Sequence, residues 1–191
     1  MKDEQSVLQF IQLFLDSNSP DPNIRIEAEN NISKLKSTPL DFLIGVNKLL
    51  DYDKAPIEAV RMSLIITKQL IANDSEEKLN NMRRVFNSCQ DYSEVLKSIL
   101  SHVFTSNDQI VQNLLATIYA YFFNIEREKW PEGLDWVFSN FKDNDDPNSK
   151  TFFLNIINDI LNCDVLSLFE SQEKKQQLQE IPKQIDGTRT Y

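Results

Sequence analysis

The sequence predicts an all-α protein in which helices pair antiparallel and the pairs stack in a row. Three observations carry that prediction. Glycine occurs only 3 times in 191 residues while Leu, Ile, Asn, Phe and Lys are abundant, a balance that suits helices better than strands and tight turns. Apolar residues recur at intervals of three and four along most of the chain, the period of a helix with one buried face. Of the 7 prolines, Pro22, Pro39, Pro56, Pro131 and Pro147 fall where helices are expected to begin, and none interrupts a periodic run. A proline in a first turn sacrifices no intrahelical hydrogen bond, so this placement marks helix starts.

Val7, Phe10, Ile11 and Phe14 give the first helix one apolar stripe, ending near Asn18. Ser19-Pro20-Asp21-Pro22 turns the chain, with Asp21 suited to cap the next helix and Pro22 to occupy its first turn. That helix carries Ile24, Ala28, Ile32 and Leu35. Thr38-Pro39 opens a third with Leu43, Val46 and Leu50, and Ala55-Pro56 a fourth with Val60, Leu64, Thr67 and Ile71. After Asn73-Asp74 the spacing predicts a more polar helix to about Asn87, then one bearing Val95, Ile99, Val103 and Phe104. The next runs from Asn107 with Ile110, Leu114, Ile118 and Phe122. Trp130-Pro131 starts a helix with Leu134, Val137, Phe138 and Phe141, and Asp146-Pro147 its partner with Phe153, Ile156, Ile157 and Ile160.

These pieces group into hairpins over about 3–37, 39–73, 75–126 and 130–164, the third enlarged by an insertion, with a fifth beginning near Val165. Second helices start near residues 22, 56, 107 and 147, a spacing centred on about 40, the period of HEAT-type helical repeats. Each hairpin has more apolar surface than it can bury alone, and stacking neighbours buries it, so an α-α superhelix is the expected architecture. The 34-residue tetratricopeptide signature, about the other common helical period, is missing. Beyond Phe169 the periodicity fades into the polar run 171–177, and the absence of a polar capping repeat leads us to expect the front of a longer solenoid.

Charge narrows the partners. Twenty basic against 29 acidic residues give a net charge of −9, which opposes general affinity for nucleic acid or anionic lipid and favours both solubility and basic protein partners. Cys89 and Cys163 lie far apart outside any CxxC pair, fitting a reducing compartment without a disulfide or zinc. The charged start Met1-Lys2-Asp3-Glu4 lacks a secretory apolar region, so an intracellular protein is expected. The most apolar window, Leu114 to Ile125, falls short of the roughly 20 residues that cross a bilayer and reads as a buried helix.

Catalytic patterns are missing. His102 is the single histidine, sits at the edge of an apolar stripe and reads as a half-buried structural residue, with no serine or cysteine elbow beside it. Asp143-Asn144-Asp145-Asp146-Pro147-Asn148 resembles a calcium loop, yet Asn148 and Leu154 stand where that loop needs Gly and Glu, so it reads as a capped turn. Gly45, Gly133 and Gly187 are too dispersed for a phosphate-cradling loop. No catalytic residue, cofactor or metal is expected, and Tyr119, Tyr121, Phe122 and Phe123 read as core.

Several segments resemble the N-terminal region of importin-β-type nuclear transport receptors (the karyopherin-β family). Arg25-x-x-Ala28-Glu29-x-x-Ile32 is similar to that family's R-x-x-A-E-x-x-L pattern in the second helix of its first repeat. Pro39-Leu40-Asp41-Phe42-Leu43 is similar to its P-x-x-F-L helix opening, and Arg61 to Gln69 to the second helix of its second repeat. Trp130-Pro131-Glu132-Gly133-Leu134 stands where the family places W-P-E-L, after a long apolar helix. Ser63 and Leu64 depart from the small residues of the second repeat, and the insertion of the third unit is poorly matched.

The resemblance implies a monomeric, curved helical stack whose second helices bind the GTP-bound small GTPase Ran. Cargo, cargo adaptors and Phe-Gly nucleoporins would be bound mainly by later repeats, and the protein would act in nuclear import, in cytoplasm, nucleus and nuclear pores. For partner contact the residues off the core stripe of the second helices are chosen: Glu27, Asn31 and Lys34; Arg61, Ile65 and Lys68; Gln112, Leu115 and Tyr119. An exportin, a HEAT-type adaptor that ignores Ran, and a membrane-adaptor superhelix are the alternatives.

Overall fold

The computed structural model describes residues 2–72, 75–102, 106–126 and 153–158, together with Gly133, Asp135 and Ser139. The fold is all-α and repeat-like, with no strand among the described residues. In chain order the helices are α1 (Lys2–Asp16), α2 (Pro22–Lys36), α3 (Pro39–Leu50), α4 (Ile57–Ile71), α5 (Glu76–Ser88), α6 (Asp91–Ser101) and α7 (Gln109–Glu126), with a further helical stretch at 153–158.

Helix boundaries follow local chemistry. The Asp21 carboxylate accepts from the Asn23 amide at 2.8 Å and caps α2, with Pro22 in its first turn. Ser75 does the same for α5, accepting from the Lys78 amide at 3.3 Å. The first helix stops two residues earlier than its stripe predicts, at Asp16, because Ser17 Oγ and Asn18 Nδ2 both donate to the Phe14 carbonyl. Pro56 takes the extended N-cap position of α4.

The packing order makes the repeat visible. First helix lies on first helix, α3 against α6, and second on second, α4 against α7, while α3–α4 and α6–α7 close their own pairs. The enlarged third unit is therefore α6–α7 with α5 added ahead of it, and α5 docks chiefly on α7. The first pair departs from a regular ladder: α1, not α2, packs on α4, and the main neighbours of α2 are α1 and α3. Only Ala28 and Ile32 of α2 are buried, and Ile24, placed on the core stripe by its spacing, is 43% exposed.

Close approach depends on small residues and rings. Phe10 and Phe14 meet edge-on with centroids 4.9 Å apart, and both rings reach Phe42 of α3. Gly45 lets that contact form, since a β-carbon there would stand 2.8 Å from the Phe10 ring. On α4, Ala59, Ser63 and Thr67 are fully buried at four-residue spacing. The two hydroxyls donate to carbonyls of their own helix, from Ser63 to Val60 and from Thr67 to Ser63, so they need no partner across the interface.

One apolar face is rotated from the sequence expectation. The predicted α7 stripe was Ile110, Leu114, Ile118 and Phe122, but Ile110 is 49% exposed and Leu114 half-buried, whereas Val111 and Leu115 are in the core. With α4, α5 and α6 all packed against it, α7 is buried nearly all round from Leu115 onward. The α6 stripe shifts similarly: Leu96, Ile99 and Leu100 are buried and Val95 is half-buried. Val103, Phe104 and most of the fourth and fifth hairpins lie outside the described residues, although Phe153, Ile156 and Ile157 are buried as their spacing predicts. Asn155 Nδ2 donates to Asn113 Oδ1 at 2.7 Å, which sets that stretch against α7.

Candidate partner-binding face

The nine residues chosen from sequence separate into three groups. On α2, Glu27 and Lys34 are exposed and Asn31 is half-buried, and with Asn23, Ile26 and Asn30 they line a shallow open depression along one side of the helix. On α4, Ile65 is exposed while Arg61 and Lys68 are half-buried. The third group does not form a surface. Gln112, Leu115 and Tyr119 are 7%, 0% and 1% exposed, because α7 presents them inward. Gln112 Nε2 donates to the Ser106 carbonyl at 2.8 Å, Leu115 fills the core, and the Tyr119 hydroxyl donates to the Gly133 carbonyl at 2.6 Å. Burial also raises the Tyr119 phenol above its ordinary range, so it stays a protonated donor.

Arg61 is committed to a structural partner. Its guanidinium forks onto Asp108, with Nη2–Oδ2 at 2.5 Å and Nε–Oδ1 at 3.3 Å, and the same carboxylate accepts from the Val111 amide at 2.9 Å at the start of α7. One side chain thus joins α4 to the first turn of α7. The hydrogen bonds from Arg61, followed by that from Val111, hold the Asp108 carboxyl below its ordinary range, and the Asp108 hydrogen bond raises Arg61 in return.

Beside the chosen Arg61 and Ile65 stand two residues that the sequence choice missed, Ile57 and Ile110. Ile57, Arg61 and Ile65 follow at four-residue spacing on α4, and Ile110 stands two residues beyond Asp108; the three isoleucines are 37%, 37% and 49% exposed. On α4 two exposed isoleucines thus flank the arginine of a fixed ion pair, with Lys68 one turn further on, and Ile110 is exposed in the first turn of α7. The four-residue interval that puts Ile57 in line with Arg61 and Ile65 was readable in the sequence, since Val60 and Leu64 take the inside as their spacing predicts, whereas nothing local marked Ile110, which spacing places in the core. The α2 trio is not part of this junction, since α1 is the helix that packs on α4 from that side.

His102 occupies the structural position read for it, with Nε2 3.3 Å from Asp51 Oδ1, linking the C-terminal ends of α6 and α3. Tyr119, Phe122 and Phe123 are core and Tyr121 is half-buried, with Tyr119 and Phe123 stacked at 6.3 Å. Among the described residues no group of three His, Cys, Asp or Glu side chains is placed to hold a metal ion, and no helix is long and apolar enough to cross a membrane. The aspartate-rich run 143–148 and Cys163 lie outside the described residues. Comparisons with protein-family models, curated proteins and solved structures gave no match.

Proposed function

We propose that this chain is a non-catalytic helical-repeat scaffold that binds a protein through its second-helix face, and that the partner is the small GTPase Ran in its GTP state. The observation that carries the scaffold reading is the row of exposed Ile57 and Ile65 flanking Arg61 on α4, where Arg61 is paired with Asp108, together with Ile110 exposed in the first turn of α7. Apolar area of this kind gains about 25 cal/mol per Å² when a partner covers it. A pre-paired arginine and aspartate can meet polar groups of that partner without leaving an uncompensated charge behind.

The identity of the partner rests on the importin-β resemblance of Arg25 to Ile32, Pro39 to Leu43, Arg61 to Gln69 and Trp130 to Leu134. In this reading the α2 and α4 residues Glu27, Lys34, Ile65 and Lys68 contact Ran, and the nucleotide state is sensed through the shape of its switch segments. Cargo and Phe-Gly nucleoporins would be bound by repeats further along a longer protein acting in nuclear import. A pull-down with GTP-locked and GDP-loaded Ran tests it: retention of the GTP form alone is expected, and equal or absent retention of both rejects Ran as the partner.

A second reading, a HEAT-type adaptor indifferent to Ran, is favoured by the burial of Gln112, Leu115 and Tyr119, which removes a third of the contact set. Ile65→Asp and Ile110→Asp separate the two. Both variants should weaken partner capture under either reading, but only under the first does the loss fall on Ran-GTP.

A further inference from the structure

The chain contains two hydroxyl–proline pairs, Ser19-Pro20 and Thr38-Pro39, and they stand at opposite ends of α2. Their surroundings differ. Residues 17–21 separate α1 from α2, whereas Ser37 and Thr38 alone separate α2 from α3. A kinase reads its substrate as extended backbone, to which a residue before proline is biased. Freeing the half-buried Ser19 breaks the turn bond from its amide to the Asp16 carbonyl at 2.9 Å. Freeing the more exposed Thr38 breaks its amide bond to the Leu35 carbonyl and also the first bond of α3, from the Phe42 amide to the Thr38 carbonyl. Ser19 Oγ accepts from the Asp21 amide at 3.2 Å, and its own hydroxyl proton meets no acceptor among the described residues. The Thr38 hydroxyl is engaged, donating to the Leu35 carbonyl at 3.2 Å.

A cation already waits beside Ser19. Arg25 reaches back from α2 and donates from Nη1 to the Ser19 carbonyl at 3.0 Å, and among the described residues it has no carboxylate partner. A guanidinium held only by a neutral carbonyl gains a stronger, two-point bond when a phosphate arrives within reach.

We propose that Ser19 is the phosphoacceptor of a proline-directed protein kinase and that Arg25 captures the phosphate. Ser19 Oγ attacks the γ-phosphorus of ATP; the new O–P bond forms as the bridge to the β-phosphate breaks, ADP leaves, and the serine proton passes to the kinase's base. The product carries about −1.5 to −2 charges at neutral pH. The acidic neighbours Asp16 and Asp21 oppose it: Asp16 is held by Gln12 Nε2 at 2.7 Å and Asp21 by the Asn23 amide. Arg25 offsets them. Its move from carbonyl to phosphate fastens the start of α2 to the α1 corner, on a helix that buries only Ala28 and Ile32.

The test uses the full chain, a proline-directed kinase and ATP, with peptide mapping by mass spectrometry and phosphorus NMR titration. One phosphate on Ser19 is expected, with none on a Ser19→Ala variant and slower reaction at Thr38. The second ionisation of that phosphate should lie about 1 pH unit lower in the parent than in Arg25→Ala, with Arg25→Gln behaving as Arg25→Ala. Failure to modify Ser19 in the folded chain overturns the site. A titration unchanged by both arginine variants overturns the capture.

Discussion

Leu115 and Ile110 provide the sharpest check on how α7 is seated, because apolar spacing and tertiary packing rank them oppositely. Spacing makes Ile110 the core residue; the structure leaves it 49% exposed and buries Leu115 completely. Leu115→Ala removes three carbon atoms from a site enclosed by other helices, which costs about 3 kcal/mol as transfer and cavity terms together. Ile110→Ala trims a half-wetted side chain and should stay within about 0.5 kcal/mol. In urea, with a slope of about 2 kcal/mol per M for a chain of this size, the first midpoint falls by about 1.5 M and the second by about 0.25 M. Denaturation of the full chain followed by far-ultraviolet circular dichroism measures both, with equal slopes required for the comparison. If Ile110→Ala shifts the midpoint as far as Leu115→Ala, the orientation of α7 and the burial of Gln112 and Tyr119 are wrong.

Three further outcomes follow from the same packing. Asp108 has its carboxyl lowered by Arg61 and the Val111 amide, so its stabilising contribution is present above the unfolded value near 4 and fades as pH falls through the lower folded value. The melting-temperature gap between the parent and Asp108→Asn should therefore be widest at neutral pH and close in acid; a gap independent of pH excludes the pairing. Asp21→Ala removes the cap of α2 and should cost about 1 kcal/mol, with amide exchange accelerating at Asn23 before it does in α3 or α4. Ser63→Ala should be nearly neutral, because the hydroxyl serves only its own helix, whereas Ser63→Leu should cost about 1–3 kcal/mol by overfilling a fully buried position of α4.

Helix existence was legible because its causes are local. Asp21 followed by Pro22 writes a helix start into adjacent residues, and Val60, Leu64, Thr67 and Ile71 all reach the core as their intervals predict. The insertion was legible too, since an extra polar helix cannot be hidden in the length between Ile71 and Asp91. The candidate face was read less well. Glu27, Lys34 and Ile65 are exposed as expected, but Arg61 proved to be tied to Asp108 across 47 positions, a pairing that no local spacing encodes.

The sequence by itself determined that this chain is helical and, from α2 to α5, where its helices start, because caps, first-turn prolines and a four-residue apolar interval act within one or two turns. Only the tertiary structure decided which side of α6 and of α7 became surface. An α7 pressed by α4, α5 and α6 has no polar side left over most of its length, so its periodicity carries too little contrast to orient it. The contact between α1 and α4 was hidden for a related reason. Both helices show one apolar stripe, and a stripe states that a face is buried without naming the helix that buries it.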